Sequence, residues 1–456
     1  MKQRIIALLL ALALTLSLCA VSALAEEQSQ TESETAEATG ESTGEETAEG
    51  EETPEAEEEP LSPAGPDPEV TDLTEAVAIV PDEVGTLSFA NVERRMRENN
   101  LQILILEESV LTLEEIDYDK TYEDLRKQLN KLANAQWGLS LTPAEYIGGE
   151  YEKGKSYDEL DKAYDAVRDQ FDAIKDGEMQ QDNADTIRQL NNLQDQIVMA
   201  GESLYVAVAA MDIQKDSLER QLAALDRTCE EMELRYQLGQ ISALQLSEVK
   251  SGRESLASGL ETLRMNIKNY KFQLEMLIGA EQTGGIQLGA LPEVTDKQLE
   301  SMDLEKDLDA AKEKSYELYD AAQTLEDARD DYKEAGKDYG YNEEKYAFKA
   351  AKHTWQAAQY TYNDTVQNYE LKFRTLYSQV KDYKQILDAA SVALACEQSS
   401  YAAAELKYQQ GSISKNALLD AEDELRAAED KVRTSANDLF SAYNSYCWAV
   451  QHGILN

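Results

Sequence analysis

The chain is short of the residues on which most chemistry is built. It has only 2 histidines, His353 in an alanine-rich stretch and His452 near the C-terminus. Neither has cysteine or carboxylate neighbours at metal-ligand or nucleophile–base spacing. No glycine-rich phosphate loop follows a strand-like run, so catalytic, cofactor and metal sites are not expected and the chain reads as a non-enzyme. The 4 cysteines, Cys19, Cys229, Cys396 and Cys447, are scattered without paired spacing, which excludes a disulfide framework as the source of stability. Positive charge is scarce too: 43 basic residues face 89 acidic ones, and such a surface repels nucleic acid. Beyond the first residues no stretch holds the ~20 apolar residues of a membrane helix, so no direct membrane span is expected after that segment is removed.

The N-terminal segment has a recognisable layout. Lys2 and Arg4 precede the apolar run from Ile5 to Leu18, which leads to Ala23-Leu24-Ala25, the pattern of a signal peptide over 1–25 cut after Ala25. The mature protein is therefore expected in the cell envelope or on the extracytoplasmic surface. Lipidation of Cys19 is the rival reading, with Leu18 standing where a small residue is wanted. The stretch 26–85 reads as an acidic disordered linker: from Glu26 to Glu69 it has 17 acidic residues and no basic ones, too little apolar surface to offset the entropy of ordering.

What the sequence has in abundance is heptad pattern, and it has it twice. Glu233-Leu-Arg-Tyr-Gln-Leu-Gly-Gln-Ile-Ser242 returns 172 residues later as Glu405-Leu-Lys-Tyr-Gln-Gln-Gly-Ser-Ile-Ser414. Each copy ends one long apolar-periodic segment and begins another, so the chain reads as a duplicated helical hairpin. Ile187, Leu190, Leu193, Ile197, Leu204, Val208 and Met211 begin a seam sustained over about 50 residues, hence a helix of about 75 Å. Shorter opening helices are predicted from Ser88 to Glu115 and from Asp303 to Ala328. The predicted domains are repeat 1 over 86–279, a linker over 280–295 interrupted by Gly284-Gly285, Gly289 and Pro292, and repeat 2 over 296–456. The opening helices align at a shift of 215 residues and the glycine motifs at 172, so repeat 1 has 43 extra residues. These fall near 118–185, where Trp137-Gly138, Pro143 and Gly148-Gly149 read as a loop or small subdomain.

The duplicated tip, Arg/Lys-Tyr-x-x-Gly, following a signal peptide resembles the TolC family of outer-membrane efflux and secretion conduits. The resemblance covers both repeats, and the tip motifs are its specific part. It implies an all-α protomer of duplicated long antiparallel hairpins, trimerising into a hollow coiled-coil α-barrel. It also implies a periplasmic-adaptor-like (membrane fusion) protein and its transporter as partners. The docking tips would be Leu238, Gly239, Gln240 and Ile241 with Gln410, Gly411, Ser412 and Ile413. Tyr408, Asp420 and Glu248 match entrance-lining positions, whereas Ala417, Ile413 and Gln245 depart from the charged residues expected there. Independently of the family, glycine suits a helix C-cap and Ser242 and Ser414 suit the following N-caps. A tight helical turn with no docking role fits the same residues, and Asp420 and Glu248 also read as solvated helix positions.

One departure is large. Family members insert membrane strands of about 9–11 alternating residues in each repeat, and neither Gly336–Asn342 nor the repeat 1 insert offers them. No membrane β-barrel is expected. Two functions remain, a conduit or docking component of an export system and an exported coiled-coil spacer of the cell envelope. A trimeric tube and a solid four-helix bundle both satisfy the pattern.

Overall fold

The computed structural model describes residues 82–83 and 85–455. The predicted signal peptide, Cys19 and nearly all of the acidic linker lie outside them. Within this range the chain is almost wholly helical: α1 (Val92–Asn99), α2 (Leu101–Glu114), α3 (Tyr118–Leu141), α4 (Glu150–Lys175), α5 (Glu178–Gln237), α6 (Ala243–Leu277), α7 (Asp296–Ser301), α8 (Leu304–Lys314), α9 (Tyr316–Tyr339), α10 (Tyr346–Gln409) and α11 (Lys415–His452). The strands among the described residues are β1 (Thr86–Leu87) and β2 (Gln287–Leu288), a parallel pair in register Thr86↔Gln287. At two residues each they are far short of the length that crosses a bilayer.

The heptad seams become helices longer than the pattern alone indicated. α5 has 60 residues and α10 has 64, roughly 90 Å or more at 1.5 Å per residue. Each opening helix is broken, contrary to the continuous helices predicted. Asn100 and Ser315 leave the helix in extended conformation and their side chains cap α2 and α9 respectively, satisfying backbone donors that a helix start would otherwise leave unpaired. The repeat 1 insert, read in the sequence as a loop or small subdomain, is a helical hairpin of α3 and α4 joined through one 3₁₀ turn at Ala144–Ile147.

The core sits where the opening helices meet the long hairpins, an end we call the base. Leu87, Val92, Met96, Ile103, Val198, Tyr205, Leu274, Ile278, Trp448 and Ile454 pack there as one buried cluster. A window of α5 is apolar enough, by length and composition, to cross a bilayer, which the sequence reading did not anticipate. Val198, Tyr205 and Val208 of α5 are spent on this core and its neighbour, so packing uses part of that window, 39% of which is buried.

Two tyrosines tie the repeats shut. The Tyr205 hydroxyl lies 3.1 Å from the Leu87 carbonyl and 2.8 Å from that of Gly289. The Tyr369 hydroxyl lies 3.0 Å from the Ala311 carbonyl and 3.1 Å from that of Gly453. In both repeats one buried phenol on the first long arm meets a carbonyl from the start of its repeat and one from the chain beyond its second long arm.

Candidate docking tips

α5 and α6 form one hairpin and α10 and α11 the other. At the first bend Gly239 takes φ 71°, donating to the Tyr236 carbonyl at 2.9 Å while Gln240 donates to that of Arg235 at 2.8 Å. At the second, Gly411 takes φ 70°, with Gly411 on Tyr408 at 2.9 Å and Ser412 on Lys407 at 2.8 Å. This is the two-bond helix stop in which a left-handed residue closes the last carbonyls, and glycine enters it without a Cβ penalty.

The next helices start alike but not identically. Ser242 accepts from Gln245 N at 3.2 Å and donates its own backbone N–H to Gln245 Oε1 at 2.9 Å, a reciprocal cap. Ser414 caps Ala417 N at 3.2 Å, and alanine returns nothing. The departures Gln245 and Ala417 thus have a local meaning: one completes a cap and the other leaves it half made.

Ile241 and Ile413 are half-buried in the crook of each bend, while Leu238, Gln240, Gln410 and Ser412 are exposed. Leu234, Tyr236, Leu238 and Leu244 at the first tip, and Leu406 and Tyr408 at the second, present large apolar side chains to solvent. Leu238 and Leu244, equivalent to Gln410 and Asn416, make the first tip the more apolar one. Asp420 and Glu248 are exposed on the second turns of α11 and α6, outside every ion pair found among the described residues. The structure brings Tyr408 and the glycine together on one bend but gives the two acids no charged lock.

Both bends lie at the same pole. α5 and α11 run side by side in opposite senses, joined by Arg227 with Asp423, Arg220 with Asp430 and, at 3.5 Å, Arg433 with Asp216. Further down, Glu202 Oε2 accepts from Asn444 at 2.8 Å and from Trp448 Nε1 at 2.7 Å. At the base His452 Nδ1 meets Asp195 at 2.9 Å. Continued upward in this register, the ladder brings Gly239 level with Gly411. Burial pushes the Glu202 carboxyl above its ordinary range, and the two donors only partly offset this. These cross-repeat rungs were missed in the sequence. An Arg220–Arg227 heptad facing Asp423–Asp430 is visible there, but nothing in the pattern says that the two helices touch.

No family model matches the chain, nor does any curated protein. Among solved structures it is similar to a membrane protein from Pseudomonas aeruginosa (12% identity, 79% of this chain and 89% of that one, TM-score 0.48). It is likewise similar to the Campylobacter jejuni outer membrane channel CmeC (13% identity, 80% and 86%, TM-score 0.43) and to the open-state Neisseria gonorrhoeae channel MtrE (14% identity, 80% and 89%, TM-score 0.40). These similarities span about four fifths of the chain, whose described residues are helical apart from two strands of two residues each.

Proposed function

We propose that this protein is an exported, TolC-like conduit or docking component that self-associates, as a homotrimer, and engages an adaptor-type helical hairpin of an export system through its two tips. The observation that carries this is the pair of capped bends, level with one another at one pole, each presenting apolar side chains that the fold itself leaves unused. A bend needed only to reverse the chain has no use for exposed Leu238, Leu244 or Leu406.

The pseudo-repeat supports self-association. Inside the chain repeat 2 covers one flank of α5: α11 runs along it, and α9 reaches it where Arg188 sits 3.8 Å from the Tyr319 ring centre. The equivalent flank of α10 is bare, exposing Leu371 and Val392. α2 is apolar on nearly all sides, and its outer face exposes Leu101, Ile105 and Leu111, whereas such helices are normally covered. A second copy added head to tail brings repeat 1 of one chain onto α10 of the other, a heterologous contact that closes into a ring when the rotation permits. In this arrangement Val392 stands where Arg220 stands inside the chain, and Ser251 and Ser258 where Asp423 and Asp430 stand. The ionic rungs within the chain become small and apolar positions between chains.

A photocrosslinking residue at Gln240 or at Ser412 tests docking in the producing cell. An adduct with an exported helical-hairpin protein is expected. Tip adducts with no exported partner at either position would leave the spacer reading in its place. Sedimentation of the mature chain tests assembly: a trimer at micromolar concentration is expected, weakened about tenfold or more by Val392→Glu, which buries a charge at the seam.

A further inference from the structure

An open groove on α2 has a counterpart inside the chain that is already filled. Leu101, Leu104, Ile105, Glu108, Ser109 and Thr112 line a groove of about 400 Å³. Their spacings of three and four residues put them on one face of the helix, and the buried Ile103 and Val110 lie on the opposite face. At the shift of 215 residues between repeats, the six positions become Tyr316, Tyr319, Asp320, Gln323, Thr324 and Asp327 of α9. That face of α9 meets the first long arm of the preceding repeat. The Tyr319 hydroxyl donates to Asp185 of α5, and Arg188 lies 3.8 Å from the Tyr319 ring centre. One opening helix thus sits between two long arms, its own and that of the repeat before it, while the other has only its own.

The missing arm can be read off the same correspondence. At the shift of 172 residues Asp185 and Arg188 become Ala357 and Tyr360 of α10. Tyr360 is 67% exposed, and Thr354 and Thr361 are exposed beside it. Both shifts can be checked in the packing of the base. Met96 leaves no room for a Cβ on Gly201, and their counterparts at the same shifts, Ala311 and Phe373, are both fully buried with the sizes exchanged.

We infer that the α2 groove is a socket for Tyr360 of a second copy, and that this contact makes repeat 1 of one copy follow repeat 2 of the next. The inference rests on the self-association proposed above and names the residues that select the partner face. Thr354, Ala357 and Thr361 are small, so the leucines of α2 can approach the α10 backbone around the ring. Glu108 and Ser109, which also line the groove, supply acceptors for the phenol hydroxyl, which needs a partner once buried. The wrong pairing is penalised. Repeat 2 set against α10 of another copy would press Asp320 and Asp327 onto Ala357 and Thr354, desolvating carboxylates with no cation to meet them.

The test places the photoreactive residue p-benzoylphenylalanine at Ile105, on the groove's lining, in the full chain in the producing cell. A covalent product of twice the chain mass is expected, with the label on α10 between residues 354 and 361. Label on the chain's own N-terminal segment, on lipid, on repeat 1 of another copy, or on nothing would overturn the inference. Sedimentation of the mature chain gives a second readout. Tyr360→Ala and Leu101→Asp should each weaken assembly about tenfold or more, and together no more than the stronger of the two, because they remove one contact. The circular-dichroism melt of the monomer should not change. A trimer that leaves α10 unlabelled, or that tolerates Tyr360→Ala, removes the socket and leaves self-association standing. A chain that stays monomeric at micromolar concentration removes both.

Discussion

α11 ends in a glycine and is preceded by one, and the two sit in opposite surroundings. Gly411 before it and Gly453 after it both take φ 70°. A Cβ on Gly411 would meet nothing within 4 Å, whereas one on Gly453 would lie 2.4 Å from Ser315 N and 2.5 Å from the Lys314 carbonyl carbon. The same holds in repeat 1: a Cβ on Gly239 would meet nothing within 4 Å, and one on Gly279 would lie 2.9 Å from the Asn99 carbonyl oxygen. One backbone conformation thus serves two purposes. At the tips it reverses the chain and leaves its surface free, and at the base it allows a helix end to lie directly on the break between two opening helices.

Alanine at these glycines should separate the two purposes most widely. Gly453→Ala forces backbone against backbone as well as a left-handed alanine, and a loss of more than about 3 kcal/mol is expected, read as a fall in the urea midpoint. Gly411→Ala has only the left-handed penalty, about 1 kcal/mol. Equal losses would mean that the base glycine has room to relax and that the contrast between ends is not real.

The tips were legible in the sequence and the base was not, for a physical reason. A left-handed cap is local: its glycine and the serine three residues on are written side by side, so Gly239–Ser242 and Gly411–Ser414 announce themselves. The base is a set of meetings between segments about 60 to 250 residues apart, such as Gly453 on Ser315 and Trp448 on Glu202. No periodicity encodes who meets whom. The breaks at Asn100 and Ser315 fell between: each is a good N-cap residue, but it stands inside an unbroken apolar pattern that outweighed it. The α3–α4 hairpin was missed because Pro143 and Gly148-Gly149 mark only its turn, while the seam from Leu125 to Leu139 is sparse.

The next contrast is in the hydroxyls. Tyr205→Phe and Tyr369→Phe leave ring and volume in place but strip buried carbonyls of a donor, and a loss of about 1–3 kcal/mol each is expected. Tyr408→Phe, exposed at the tip, should change stability by less than about 0.5 kcal/mol. Thermal melts of the three variants decide it.

Acidity sharpens the comparison further, because the base holds two carboxyls shifted in opposite directions. Burial alone would raise Glu275, but the backbone N–H groups of Gly284, Ile286 and Thr283 outweigh it and hold the carboxyl below its ordinary range. Its contribution is complete above the unfolded value near pH 4.3 and is lost as pH falls through the lower folded one. Glu202 is raised by burial, so its contribution is complete below the unfolded value and is lost as pH rises through the folded one. Glu202→Gln keeps an acceptor for Asn444 and Trp448 without the charge. It should therefore stabilise the protein at pH 8 relative to pH 4, and Glu275→Gln should do the reverse. Melting temperatures of both variants at the two pH values give the signs.

The smallest effect distinguishes the hairpins from each other. The arms of the first are bridged by Asp212–Lys271, Glu219–Arg264, Asp226–Arg253 and Glu233–Lys250, at 3.7, 2.9, 2.7 and 2.6 Å. The four acids recur every seven residues on α5, one rung per heptad. Between α10 and α11 no ion pair is found among the described residues; they close on Val380, Ala390 and the Phe373–Tyr446 contact at 5.5 Å. Half-exposed pairs are worth about 0.2–1 kcal/mol each and are screened by salt, so raising salt to 0.5 M should lower the global melting point by no more than about 2 °C. The local response is the informative one. Amide exchange near Gly239 should quicken with salt more than exchange near Gly411, because only the first bend has its two arms bridged to each other by charges that counterions can cover. If both bends respond alike, the rungs on α5 are solvated side chains and the first hairpin is held, like the second, by its apolar seam.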